Sequence, residues 1–117
     1  MLDQNKIEEI MYLGKRITLC GSTKYKYEFE QINQILTMLG GVVYSVGFYG
    51  HADGIEFTKE QKELLDTVHK LKIDNSDAIF VINVDDYIGH STQSEISYAK
   101  ALNKQIYYLT DFLKIYK

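Results

Sequence analysis

The sequence predicts a small doubly wound α/β domain, a parallel sheet of strand order 2-1-3-4 flanked by helices. Three observations predict it. Short β-rich runs alternate with helical stripes from one end of the chain to the other. The run 78–84 is almost unbroken apolar, as a strand covered on both faces requires. The length, 117 residues, suits a single domain spanning 1–117.

The elements follow in order. Residues 1–14 read as an N-terminal helical arm, with Ile7, Ile10 and Met11 on one side. A first strand covers 16–20, and Gly21-Ser22-Thr23 follows as a turn and helix cap. Over 24–39, Phe29, Ile32, Ile35, Leu36 and Leu39 recur at helical spacing. Gly40-Gly41 ends that helix, because glycine reaches the left-handed conformation cheaply. A second strand at 42–46 leads into a long glycine-rich loop, 47–57. Thr58 and Gln61 have the spacing of a capping box, and Leu64, Leu65, Val68 and Leu71 continue the helix behind it. After the strand at 78–84 come a polar loop, 85–91, a helix at about 92–103, a strand at 105–109 and a short helical tail, 111–117.

Right-handed crossovers then favour the order 2-1-3-4. Ligands in such sheets bind beyond the carboxyl ends of the strands, where the strand order reverses. That point lies between the first and third strands, so the turn at Gly21 and the loop 85–91 should meet there. The loop 47–57 emerges on the same edge. It carries Phe48 and Tyr49 and is long for a strand-to-helix connection, so it is a candidate lid over a bound ligand. An ordinary surface loop whose aromatics pack on the second helix is the alternative.

Composition narrows the function classes. A net charge of −3 argues against a broad nucleic-acid footprint. No apolar run approaches the ~20 residues of a membrane span, and the N-terminal stretch lacks the look of a signal peptide. One cysteine, Cys20, allows no internal disulfide and fits a reducing, cytoplasmic setting. Dinucleotide fingerprint, P-loop and nucleophile-elbow motifs are all missing. His51, His69 and His90 lack metal-ligand spacing, so neither a metal nor a cofactor is expected.

The segment 83–100 carries the most chemistry. It runs from strand through loop into helix and brings Glu95 just after Ser91 and Thr92. Its Asn83-x-Asp85, small-residue loop with Gly89, and Glu95-x-x-Tyr98-Ala99 resemble the nucleoside 2-deoxyribosyltransferases and the related 2′-deoxynucleoside 5′-phosphate N-hydrolases. Leu19-Cys20-Gly21-Ser22 resembles that superfamily's first strand and turn, and Asp74 with Ser76-Asp77 resembles its Asp-rich segment before the third strand. The similarity spans roughly 16–109. It implies a flavodoxin-like fold and an enzyme that transfers or hydrolyses an N-glycosidic bond of a small-molecule nucleoside or nucleotide. Glu95 would be the nucleophile and Asp74 the group that assists the departing base. Gly21, Ser22, Thr23, Lys24, Asp85, Gly89, Ser91 and Thr92 would bind sugar or phosphate, with Phe48 and Tyr49 over the base. Thr18 stands where that superfamily carries a tyrosine near the nucleophile. A homodimer or higher homo-oligomer is implied as well, with Tyr107, Tyr108, Phe112 and Tyr116 as apolar surface.

The residue types suit the reaction. Cleavage passes through an oxocarbenium-like state that a carboxylate can stabilise and trap. A helix N-terminus should keep that carboxylate ionised. Other readings stay open at this point. Thr92-Gln-Ser-Glu95 is itself a capping box, and Asp74 can simply sit near a helix end. Asp85 can be a solvated loop acid. A nucleotide-binding module without turnover is the main alternative, and an interaction domain of the same fold is a third.

Overall fold

The computed structural model describes residues 12–115. Four parallel strands, β1 (Arg16–Gly21), β2 (Val42–Tyr44), β3 (Ala78–Ile82) and β4 (Gln105–Tyr108), form one sheet in the order β2-β1-β3-β4. Around it lie α1 (Lys26–Met38), a one-turn α2 (Gly50–Asp53), α3 (Lys59–Asp74), α4 (His90–Ala101) and α5 (Leu109–Ile115), with a 3-10 turn at Val84–Asp86. This is the expected doubly wound, flavodoxin-like arrangement. The registers Leu19↔Phe80 and Cys20↔Val81 alternate the side chains of β1 and β3 between the two faces.

The two faces bury different chemistry. On one, Ile17, Leu19, Phe80 and Ile82 meet Phe29, Ile32 and Leu36 of α1 and Leu109 and Phe112 of α5. On the other, Cys20, Ile79 and Val81 meet Ile73 of α3 and Ile96 and Ala99 of α4. Gly21 is required where β1 meets β3, since a Cβ there would lie 3.0 Å from the Ile82 Cβ and 3.1 Å from its carbonyl oxygen.

Local signals set several boundaries as expected. Thr58 and Gln61 form the capping box of α3, each side chain bonded to the other's backbone N–H. α1 ends in a Schellman turn: Gly40 takes φ +91°, and the Gly41 N–H reaches the Leu36 carbonyl at 2.8 Å. α4 ends the same way with Asn103 at φ +57°, and the Lys104 N–H reaches the Ala99 carbonyl at 3.0 Å.

Four expectations need correction. α1 starts at Lys26 with Tyr25 as N-cap and no side-chain cap bond, so Ser22 and Thr23 are not its caps. α4 starts at His90 with Gly89 as N-cap, which leaves Glu95 in the second turn and the Thr92–Glu95 capping box unformed. The loop 47–57 holds the helical turn α2, closed by Gly54 at φ +67°. Of the C-terminal aromatics, Phe112 is not open surface but buried against Phe80 at 5.5 Å, and Tyr107 packs on Tyr12 at 5.4 Å. Tyr116 and most of the N-terminal arm lie outside the described residues. Among the described residues, no helix is long and apolar enough to cross a membrane.

Candidate functional site

The turn after β1 and the loop after β3 meet at the carboxyl edge of the sheet. Lys24 bridges them, with its Nζ 4.0 Å from the Tyr87 ring centroid and 5.1 Å from that of Tyr25. Tyr25 and Tyr87 also touch edge to face at 6.2 Å. The loop after β3 is built from unusual backbone: Asp85 and Asp86 both take positive φ, +52° and +63°. Asn83 anchors the loop. Its Nδ2 donates to Thr110 Oγ1 at 3.1 Å, and its Oδ1 accepts the Thr110 N–H at 3.2 Å. Within the expected Asn-x-Asp pair, then, Asn83 ties β3 to α5, while Asp85 is exposed to solvent.

The third loop on this edge is docked by specific contacts. Thr23 Oγ1 accepts the His51 N–H at 3.2 Å, and Lys26 pairs with Asp53 at 3.0 Å. Tyr49 packs edge-on against Phe29 of α1 at 5.8 Å, whereas Phe48 stays more than half exposed and touches Phe57. Of the two expected lid aromatics, Tyr49 is engaged with the core and Phe48 is available. Gly21, Ser22, Thr23, Lys24 and Gly89 share this rim. Ser91 is exposed in the first turn of α4, and Thr92 is buried beneath it.

Glu95 lies lower, on the face covered by α3 and α4. It meets two side chains that no local motif connects to it. His69 Nε2 is 3.6 Å from Glu95 Oε2 and 3.4 Å from Cys20 Sγ, and the three ligand-type atoms lie within 4.8 Å of one another. Cys20 is the residue before Gly21, which sets the cluster at the carboxyl end of β1. The Glu95 and His69 side chains are only 15% and 10% exposed.

Burial controls the charges here. Glu95 is pushed up from 4.5 to about 7, first by burial and then by the nearby Asp66 carboxylate, with Cys20 and Lys70 pulling the other way. The dipole of α4 does not keep it ionised, because a second-turn residue is past the reach of the helix end. His69 is lowered from 6.5 to about 4 by burial and by Lys72, so it is neutral at pH 7. The 3.6 Å contact is therefore not an ion pair at that pH, despite its length. Burial and the Glu95 charge raise the Cys20 thiol well above its ordinary range, so it stays protonated. A Cys-His-Glu relay is also excluded by geometry. Sγ and Oε2 both approach the same ring nitrogen, Nε2, whereas a relay needs one partner on each nitrogen.

Asp74 is not part of this cluster. It is the last residue of α3, which runs back to the amino edge of the sheet, opposite the loops that follow β1 and β3. Its carboxylate accepts the Tyr98 hydroxyl at 2.5 Å, and its carbonyl accepts Lys104 Nζ at 3.3 Å. Thr18 is sealed in as well, with its Oγ1 2.6 Å from Ser76 Oγ, which in turn donates to the Lys72 carbonyl at 2.7 Å. The position expected to carry a tyrosine near the nucleophile is thus a packed hydroxyl pair.

Searches against family models, curated proteins and solved structures returned no match.

Proposed function

We propose that the protein cleaves or transfers the N-glycosidic bond of a (deoxy)nucleoside or its 5′-monophosphate, with Glu95 as nucleophile. One observation carries this reading: a carboxyl group withdrawn from water at the carboxyl end of β1, beside a neutral imidazole, pushed up to about 7. Departure of the base leaves positive charge on C1′, and a carboxylate in a dry pocket stabilises that charge more than one in water. A Glu95 oxygen then bonds to C1′ as the C1′–N bond breaks. The base leaves with the bonding electrons and takes a proton from solvent water. Water or a second base later attacks C1′ and frees Glu95. The resemblance over 16–109 supports the same assignment. His69 packs beside the carboxyl at 3.6 Å and helps to keep water from it, and Lys24 on the rim supplies a cation for a 5′-phosphate.

A second reading, nucleotide binding without turnover, has one observation in its favour: Asp74, the expected helper of the departing base, lies at the other edge of the sheet. A panel of deoxynucleosides, ribonucleosides and their monophosphates separates the two. Released base is measured chromatographically, and binding by thermal shift. The leading reading expects release that Glu95→Gln abolishes while thermal shifts persist. Shifts without release select the second reading, and neither shift nor release discards both.

A further inference from the structure

We propose that Cys20, His69 and Glu95 form a binding site for one thiophilic divalent cation of the zinc class. The three residues come from three elements, β1, α3 and α4, and one ligand-type atom of each converges to within 4.8 Å of the other two. That convergence is what a hydrogen-bond relay lacks and a coordination sphere needs.

The distances fit. With Zn–S of about 2.3 Å and Zn–N of about 2.0–2.1 Å, tetrahedral angles give an S···N edge of roughly 3.6 Å and an N···O edge of roughly 3.3 Å. The edges here are 3.4 Å for Cys20 Sγ to His69 Nε2 and 3.6 Å for His69 Nε2 to Glu95 Oε2. The third edge, from Cys20 Sγ to the Glu95 carboxylate, lies within 4.8 Å. Three protein ligands leave the fourth position to water, as open zinc sites do.

Charge and ligand type point the same way. A thiolate, a carboxylate and a neutral imidazole sum to −2, so a bound dication makes the buried cluster neutral. That removes most of the cost of placing a charge out of water. Sulfur and imidazole ligands favour zinc-class ions over magnesium or calcium. Binding balances as Cys20–SH plus M²⁺ giving Cys20–S–M⁺ and one proton to solvent. The protonated fraction of Glu95 releases its own proton as the carboxylate joins.

This inference goes beyond the glycosidic reading and does not depend on it. The two are linked only through Glu95, because a coordinated oxygen is withheld from C1′ and the loaded protein should not turn over.

The test uses the whole chain, stripped with a chelator and titrated anaerobically with Co²⁺. The site predicts saturation at one equivalent, tetrahedral visible bands, a near-ultraviolet thiolate-to-cobalt band, proton release, and bleaching by one equivalent of Zn²⁺. Cys20→Ser removes the thiolate band. His69→Ala and Glu95→Gln each weaken Co²⁺ binding at least tenfold. Glu95→Gln is nearly isosteric and keeps the test decisive if the buried substitutions impair folding. No thiolate band at one equivalent, a band that survives Cys20→Ser, or unchanged affinity in Glu95→Gln overturns the proposal. None of these readouts needs a substrate, so failure of the metal site and failure of the enzyme reading are told apart.

Discussion

Among the described residues, the two faces of the sheet bury clusters of ten and six hydrophobic side chains, and they differ in the polar groups set among them. Under α1 and α5 the packing is mainly aromatic and aliphatic, with Phe29, Phe80 and Phe112 at the centre and the Asn83–Thr110 hydrogen bonds tying in α5. Under α3 and α4, polar atoms are set into the apolar layer: the Thr18–Ser76 hydroxyl pair, then the Cys20–His69–Glu95 cluster one step nearer the ligand edge. A face packed mainly with apolar side chains specifies the fold and disfavours a buried charge. A face with embedded, incompletely hydrated titratable groups costs stability and changes their chemistry. The difference is chemical: the second face, not the first, holds the Cys20–His69–Glu95 group of titratable side chains.

Breaking the first face should give the largest loss of stability. Phe80→Ala removes a fully buried ring from between α1 and α5 and should cost about 3–5 kcal/mol. Urea unfolding measures it. A loss under about 1 kcal/mol would mean that this cluster is not the core that holds the sheet.

The second face should reveal itself through pH. His69 is held down from 6.5 to about 4, so the unfolded chain takes up that proton first. Its contribution is present above about 6.5 and is lost as pH falls towards 4. Glu95 is pushed up from 4.5 to about 7, so its contribution is present below about 4.5 and is lost as pH rises through 7. Between about 4.5 and 6.5 the two slopes oppose each other. Glu95→Gln should leave the His69 slope, with stability rising with pH across that window relative to wild type. His69→Gln should leave the Glu95 slope, with stability falling. Each change should be on the order of 1–3 kcal/mol across the window. Two variants with the wild-type profile would show that neither group is desolvated as described.

The smallest effect is expected at Asp74. It sits with Tyr98 at the amino edge, away from the groups that act on Glu95. Asp74→Asn should change the rate of base release by less than about threefold, equally for good and poor leaving bases, far below the 10²–10⁴-fold typical of a general acid. A loss concentrated on poor leaving bases would restore Asp74 as the proton donor.

Much of the fold was legible in the sequence because its signals are local. The stripe from Phe29 to Leu36, the Gly40-Gly41 stop, the Thr58–Gln61 box and the apolar run at 78–82 each act within a few residues. The start of α4 was misread for the same reason. Thr92 and Glu95 have box spacing, but Gly89 admits an earlier start and buries Thr92, so the local pattern loses to packing. Glu95 stood out through its segment, whereas its partners did not. Cys20, His69 and Glu95 lie 49 and 26 residues apart and meet only because α3 and α4 share one face of β1. The one available hint was a histidine four residues from both Leu65 and Ile73, on the side of α3 that faces the sheet. Asp74 fitted a motif in sequence but falls on the wrong edge, because α3 carries it back past the sheet.

The central claim, that Glu95 is the group that bonds to the sugar, is tested most directly by trapping. The protein is incubated with 2′-fluoroarabino-nucleosides and their monophosphates, whose fluorine slows breakdown of a glycosyl ester. It is then quenched in acid, digested and analysed by mass spectrometry. The account predicts a glycosyl adduct on the peptide carrying Glu95, absent in Glu95→Gln and formed faster as pH rises through about 7. Base release with the adduct on another residue, or undiminished release in Glu95→Gln, would contradict it.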